Sequence, residues 1–470
     1  MIAKIMRMLA LLTLFLTSIA VAKKPNIIII FCDDMGYGDL SCFGATDWQT
    51  PHLDTLAKEG VKLTDFYVAT AICSASRASL LTGCYPPRVG ITGVLFPNDP
   101  IGLNPDETTI AEICKTQNYA TAAFGKWHLG DHSSCLPTTQ GFDQYYGYPY
   151  SNDMWPRGPL EFRKYPELPV YQNDEIIRTE EDQTNNTKEL TERAVKFIAE
   201  NANIPFFLYL AHPQPHVPLY VSPQHQGSSD KGGIYGDVIQ EIDWSTGQIL
   251  AALEKHKLTK DTLILFTSDN GPWQIYGNHG GHTGELRGAK GTSWEGGLRV
   301  PAILRYPAQI KPNQTINTPV MTIDLLPTIA KLIDAPLPKN TIDGKDIFPI
   351  LTGTTKEPAQ KAYYFFNQPN NLEAMRMGKW KLQFPHEYRS ATKHPGKDGK
   401  HGKYTHHKSG LELYDLSQDS SESNNVAKQH PELIAQMQKL AQTMRTKLGD
   451  KLTITSGTEN RPPAKIPKTK

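Results

Sequence analysis

The chain has no Cys-x-x-Cys pair among its six cysteines, so the spacing of a structural zinc site is missing. Neither sign of charge is in excess. The 49 lysines and arginines stand against 48 aspartates and glutamates, a net of +1 that gives no basis for a nucleic-acid surface. Affinity for an anion has to come from a local site. The phosphate-loop spacing Gly-x4-Gly-Lys-Ser/Thr is absent, although a long glycine- and lysine-bearing loop is present at residues 277–301. The N-terminal apolar run covers only residues 8–16, too short for a comfortable membrane span. Lys4 and Arg7 precede it and Ala20-Val21-Ala22 follows, the three parts of an export signal over residues 1–22. No cysteine follows the cut to carry a lipid. The mature chain is therefore expected in a periplasm or the medium, with no membrane span left. Oxidation of Cys73, discussed below, leaves five cysteines, an odd number whose pairing the sequence does not give.

Residues 26–32, Asn-Ile-Ile-Ile-Ile-Phe-Cys, are apolar and β-branched without alternation, as in a strand covered on both faces. Similar strands are read at 61–67, 119–125, 205–210, 262–268 and 300–306. Helical patterns lie between them. Thr50 is placed as N-cap and Pro51 as first residue of a helix that Gly60 closes; others cover about 109–117, 191–201, 237–253 and 322–333. This alternation predicts an α/β domain over residues 23–360, with a mainly parallel sheet between helices. Residues 156–190 break the pattern and read as an insertion. Short antiparallel strands and a helix from Pro431 to Gly449 then predict a small α+β subdomain over 361–456. Residues 390–409, rich in Lys, His and Gly, read as mobile, and the basic residues 457–470 as a disordered tail.

Chemistry-bearing residues recur where strands end. Asp33-Asp34 follow the first strand, Lys126 and His128 another, His212 and His216 a third, and Asp269-Asn270 a fourth. Parallel strands share one C-terminal edge, where ligands bind, so these groups are expected to converge. Acid and amide oxygens suit a hard cation, Ca²⁺ or Mg²⁺, and disfavour zinc. Cys73 opens a helical pattern that Gly83 closes, with Ser74 or Ser76 as cap and Arg77 one turn on from the sulfur. Polar and aromatic residues at 141–153, including Asn152 and Asp153, suit a sugar-binding rim, as do His279 and His282 of the long loop.

Five segments in order carry a resemblance: Asp33-Asp34-x-Gly36-x-Gly38-Asp39, Cys73-x-Ala75-x-Arg77 with Leu81-Thr82-Gly83, Gly125-Lys126-Trp127-His128-Leu129-Gly130, His216-x-Pro218-Leu219, and the stretch from Gly288 and Lys290 to Pro301. Together they resemble the type I, formylglycine-dependent sulfatases of the alkaline phosphatase superfamily, of the arylsulfatase and N-acetylgalactosamine-6-sulfatase kind. Glu412-Leu-Tyr-Asp-Leu416 and Glu422-x-x-Asn425 resemble that family's C-terminal subdomain. The resemblance implies an alkaline phosphatase-like fold. It also implies conversion of Cys73 to formylglycine (3-oxoalanine) by a maturation enzyme, and Ca²⁺ held by Asp33, Asp34, Asp269, Asn270 and residue 73, with Mg²⁺ as the second choice. In that scheme Arg77 and Lys126 orient the aldehyde hydrate and Asp269 is its base. His216 and Lys290 serve the leaving alcohol, and His128 deprotonates the remaining hydroxyl. The implied reaction is hydrolysis of sulfate esters on a carbohydrate such as an algal galactan or a glycosaminoglycan fragment. Ala75 stands where the commoner signature has proline, and the alanine form also occurs in phosphonate monoester hydrolases. A phosphonate or phosphate ester hydrolase, and a non-catalytic sulfated-glycan binder, are thus the alternatives.

Overall fold

The computed structural model describes residues 24–159 and 163–466. The expected export signal lies outside the described residues. Among those described, no helix is long and apolar enough to cross a membrane.

Four parallel strands form the centre: β1 (Asn26–Cys32), β2 (Ala120–Lys126), β3 (Phe206–Ala211) and β4 (Thr262–Ser268), in the spatial order β4-β1-β3-β2. Every residue of β1, β3 and β4 is buried, which is why these segments carry no polar alternation. Ile27, Ile29 and Phe31 enter one core layer, Ile28, Ile30 and Cys32 the other. On the first side lie α1 (Cys73–Thr82) and the helix Leu325–Leu332; on the second lie Asn186–Glu200 and Gly233–Lys255. Six further strands complete a sheet of ten, antiparallel pairings appearing only toward its edges. The fold is the expected mixed, mainly parallel sheet between helices. The stretch 156–190 is more than an insertion, since its hairpin Pro169–Gln172 and Glu175–Thr179 supplies two edge strands. The strand expected over 61–67 is two, Val61–Leu63 and Phe66–Tyr67. Asp65 lies at the break and pairs with Arg299 at 2.7 Å and Arg376 at 2.5 Å.

The C-terminal subdomain is an antiparallel sheet of Tyr363–Asn367, Asn371–Met377, Trp380–Gln383 and Glu412–Asp415, backed by the helix Pro431–Leu448. Two expectations about its loops are corrected. Residues 390–409 are held: the N–H groups of Gly396 and Gly402 both donate to the Ile275 carbonyl, at 2.8 and 2.9 Å. This contact needs glycine at 277, with φ +57, where a Cβ would lie 1.9 Å from the Gly396 oxygen. The tail is also held as far as it is described. Arg461 bonds both oxygens of Glu107 at 2.6 and 2.7 Å, and Ala464–Lys465 pairs with Ile101–Gly102. In both cases the partner is remote in sequence, so composition alone reads as disorder.

Between the domains, Lys381 stands 2.9 Å from both Glu295 and Glu422, all three side chains excluded from solvent. This seam anchors the end of the long loop to the subdomain.

Candidate active site

Cys73 is the first residue of α1. Ile72 before it is extended and supplies no side-chain cap, so Ser74 and Ser76 sit inside the first turn instead of capping it. The Ser74 hydroxyl accepts from the Leu95 N–H at 3.0 Å. Gly83 closes the helix in the left-handed conformation, φ 68, as read from the sequence. The whole helix is buried, which fixes residue 73 at the C-terminal edge of the sheet.

β1 and β4 are neighbours with Cys32 opposite Ser268, so the residues that follow them, Asp33-Asp34 and Asp269-Asn270, emerge side by side. The Asp34 N–H donates to Asp269 Oδ1 at 3.1 Å, and Asn270 Nδ2 donates to Asp34 Oδ1 at 2.7 Å. Asp34 takes a left-handed backbone, φ 65, a region aspartate tolerates better than most residues.

Three cations face the three buried carboxylates. Lys126 contacts Asp33 and donates to Ser151 Oγ at 3.0 Å. Lys290 meets Asp34 at 2.5 Å, and Arg77 meets Asp269 at 2.8 Å while standing 3.8 Å from Asp33. The cost of burial opposes ionisation of Asp33, but Lys126, His216, Arg77 and Lys290 together hold it well below the usual carboxylate range. Asp269 goes the other way: burial and the neighbouring Asp33 raise it to about 7. Arg77 spends its remaining hydrogen bonds on the Lys126 carbonyl and Tyr209. The cations acting most strongly on Cys73 are Lys126 and Lys290. Even so, burial pushes its thiol well up, so the unmodified side chain is a poor source of thiolate.

At the ends of β1 and β4, the buried oxygens Asp33 Oδ1, Asp34 Oδ2 and Asn270 Oδ1 lack a hydrogen-bond partner among the described residues. One ligand atom from each of Asp33, Asp34, Cys73 and His216 falls within 4.8 Å of the others. Clustered, orphaned acid oxygens, with the Asn270 amide bonded beside them to Asp34, suit the donor set of a hard divalent cation. Asp269, also expected as a ligand, already accepts from the Asp34 N–H on Oδ1 and from Arg77 on Oδ2. His216 joins the cluster, its Nε2 3.6 Å from Asp34.

The two histidines are set by carbonyl groups. His216 Nδ1 donates to the Val217 carbonyl at 2.5 Å, leaving Nε2 toward the carboxylates. His128 Nε2 donates to the Leu95 carbonyl at 2.9 Å, which leaves Nδ1 buried, unpartnered and basic in form. Burial first, then Lys126 and Arg77, hold His128 well below the ordinary histidine range. His212 is directed instead to Ser245 at 3.2 Å.

A cavity of about 360 Å³ stands over Cys73, with His128, His216 and Lys290 in its wall. Of the four residues expected on its rim, only Asp153 lines it, 4% exposed and with Oδ1 unpaired. Asn152 faces away and exchanges hydrogen bonds with Gln183 at 3.1 and 2.9 Å. His282 is carried to the Trp48 side because its N–H bonds Asp39 at 2.8 Å and its carbonyl accepts from Gly38 at 2.9 Å. His279 sits half-buried beside Gly399. The sequence reading missed Phe96, Tyr165 and Trp273 as walls, and Gln368 and Arg389, which the C-terminal subdomain inserts. No local motif marks these five.

A family model described as Sulfatase matches residues 25–335, more than half of the chain. The chain belongs to the sulfatase family. The enzyme class of that family, sulfuric ester hydrolase, is the one expected from the motifs. A second model, described as N-sulphoglucosamine sulphohydrolase, C-terminal, matches residues 289–451 of this sulfatase. Human arylsulfatase A is 37% identical over 92% of this chain and 90% of its own. The N-acetylgalactosamine-6-O-sulfatase of Bacteroides thetaiotaomicron is 33% identical, over 91% and 94%. Among solved structures, the PsFucS1 sulfatase from Pseudoalteromonas sp. superimposes with a TM-score of 0.81 at 26% identity, over 90% of each chain. Ps i-CgsB in complex with k-i-k-neocarrahexaose gives 0.77 at 28%, over 95% and 96%.

Proposed function

We propose that this sulfatase is an exported enzyme that hydrolyses sulfate monoesters on a carbohydrate, using formylglycine derived from Cys73 and a bound Ca²⁺, with Mg²⁺ as the alternative ion. One observation carries the reading: Cys73, at the start of a buried helix, lines a cavity with His216 and Lys290 and clusters with Asp33 and Asp34, whose orphaned oxygens are neighboured by Asn270 and Lys126. Those oxygens, with residue 73, would hold the ion, and Asp269 is tied beside them. When present, the modified side chain supplies an oxygen nucleophile and the cation supplies positive charge against the sulfate oxygens.

The chain's own residues account for the rest. Lys126 and Lys290 place fixed positive charge beside residue 73, where the ester's charge builds up in a site shielded from water. His216, with Nδ1 committed to a carbonyl, is oriented to carry a proton on Nε2 to the departing alcohol, assisted by Lys290. His128, kept neutral with a free Nδ1, is suited to accept a proton from the residue-73 side. Arg77 orders Asp269 and Asp33, so it acts as a positioning residue. Phe96, Tyr165 and Trp273 contribute aromatic walls and Asp153 an acceptor for a hydroxyl, a lining suited to a sugar. A related N-acetylgalactosamine-6-O-sulfatase and a neighbour bound to k-i-k-neocarrahexaose support that substrate class.

The alternative of phosphonate or phosphate ester hydrolysis rests on Ala75, which is fully buried and does not line the cavity. A phosphonate monoester hydrolase from Silicibacter pomeroyi, at 19% identity and a TM-score of 0.61, shares only the fold. The test has two parts. Mass spectrometry of the peptide spanning residue 73 is expected to show aldehyde in place of thiol. The catalytic efficiency on 4-nitrophenyl sulfate is expected to exceed that on 4-nitrophenyl phosphate, and Cys73→Ala to abolish both. A fully retained thiol in active enzyme, or a preference for phosphate, overturns the reading.

A further inference from the structure

Beside the cavity over Cys73 lies a second one of about 290 Å³, at the seam between the long loop and the C-terminal hairpin His386–Ser390 and Thr405–Ser409. The two share Trp273, Lys290 and Arg389 in their walls. The second cavity is lined by the cations Arg287, Lys290, Arg389 and Lys393, together with His407, and no carboxylate lines it. Lys290 is neutralised by Asp34, but among the described residues no carboxylate pairs with the others. Arg287 spends its hydrogen bonds on the hydroxyls of Tyr388 and Tyr414 and the Glu422 carbonyl, all uncharged acceptors.

Arg389 stands at the junction. Its guanidinium lies 4.5 Å from the centroid of the Tyr404 ring, and among the described residues it has no hydrogen bond or ion pair. Tyr404 is itself pinned, accepting from Trp273 Nε1 at 2.8 Å. Gly291 gives the guanidinium its room: a Cβ there would lie 2.7 Å from Arg389 Nη2, and the glycine's φ of +77 excludes most side chains as well. An arginine held by stacking, with its fork unspent, is built to take a planar or tetrahedral oxyanion. Lys290, next to Gly291 in the chain, pairs with Asp34 of the reaction site and lines both cavities with Arg389, so the two positions adjoin.

We propose that this seam is a second anion subsite, in which Arg389 with Lys393 binds a sulfate or carboxylate on the sugar next to the one being desulfated. The subsite rests on the sulfatase reading above and deepens it. The preferred substrate is then an oligosaccharide with at least two negative charges, and the C-terminal subdomain, which carries no catalytic group, sets that preference.

The experiment uses the full-length enzyme hydrolysing 4-nitrophenyl sulfate, inhibited competitively by four probes. These are inorganic sulfate, a singly sulfated neutral disaccharide, the same disaccharide with a second sulfate on the neighbouring sugar, and the same with a uronate carboxylate there. In wild type, one or both doubly charged probes are expected to bind at least tenfold more tightly than the singly charged one. Which of the two gains identifies the anion. Arg389→Ala with Lys393→Ala is expected to reduce that ratio to within twofold, Arg389→Lys to leave an intermediate ratio, and inorganic sulfate serves as the reference for the reaction site. Equal binding of singly and doubly charged disaccharides by wild type overturns the subsite. So does a loss in the variants that is the same for every probe, inorganic sulfate included. A wild type bearing the aldehyde that fails to hydrolyse 4-nitrophenyl sulfate at all sinks the parent reading, a result distinct from either.

Discussion

Arg77 grips one oxygen of Asp269 with two nitrogens, Nε at 3.0 Å and Nη2 at 2.8 Å, and neither side chain is exposed to solvent. The contact joins the first turn of α1, where residue 73 sits, to the end of β4. It locks the helix that begins at Cys73 to the carboxylate edge.

Arg77→Lys keeps the charge but loses the fork. Turnover on 4-nitrophenyl sulfate is expected to fall by about 100-fold or more, the scale of losing a fixed electrostatic element. Arg77→Met, which strands a buried carboxylate, is expected to destabilise the fold by about 3–5 kcal/mol. Steady-state kinetics and denaturant unfolding check the two. Turnover for the lysine variant within threefold of wild type would show that the fork is dispensable.

Because Asp33, Asp34 and Asn270 each hold a buried oxygen without a partner, folding stability is expected to respond to a divalent ion. Added Ca²⁺ is expected to raise the melting temperature of chelator-treated protein, with stabilisation of about 2.7 kcal/mol at a hundredfold excess over Kd. Asp34→Asn should weaken the response and Asp33→Asn nearly remove it. Scanning fluorimetry over a calcium titration reads this without any turnover.

Glu422 and Glu295 share Lys381 but titrate in opposite directions. Burial raises Glu422 to about 7; the same burial is outweighed at Glu295 by Lys381, Arg299 and Arg376, which take it to about 2. Unfolded glutamates titrate near ~4.3. The Glu422 contribution is therefore complete below about 4.3 and lost as pH rises through 7. That of Glu295 is present above about 4.3 and lost as pH falls toward 2. Unfolding free energy should decline between pH 5 and 8 by up to about 3 kcal/mol from Glu422. Glu422→Gln, a permanent neutral stand-in, should flatten that decline, whereas Glu295→Gln should lower stability across the range. Chemical denaturation at several pH values decides it, and an unchanged slope in Glu422→Gln would refute the assignment.

Removing residues 457–470, or Arg461→Ala alone, is expected to cost stability. Arg461 is bidentate on Glu107, and the loss of a charged hydrogen-bonded contact is about 1.5–3 kcal/mol. Limited proteolysis of the native chain should spare the segment up to residue 466. Rapid clipping at Arg461 with no change in melting temperature would return the tail to the disordered state read from its composition.

Much of the site was legible in the chain. The strands β1 and β4 show as apolar runs rich in β-branched residues and β3 as an apolar, aromatic run because both faces are covered, and the chemistry-bearing residues sit at or beyond strand ends because parallel strands finish on one edge. That places Asp33, Asp34, Lys126, His216, Asp269 and Asn270 together, and Gly83 marks the end of the helix that begins at Cys73. These relations are local or follow from sheet geometry, so sequence suffices for them. Only tertiary structure decided which oxygens remain unpaired, that Asn152, His279 and His282 turn away from the cavity, and that Gln368 and Arg389 enter it. Those outcomes depend on contacts between segments remote in sequence, from Asn152 against Gln183 to Gly277 against Gly396 and Gly291 against Arg389. Backbone proximity of that kind leaves a glycine in the sequence but does not name the partner.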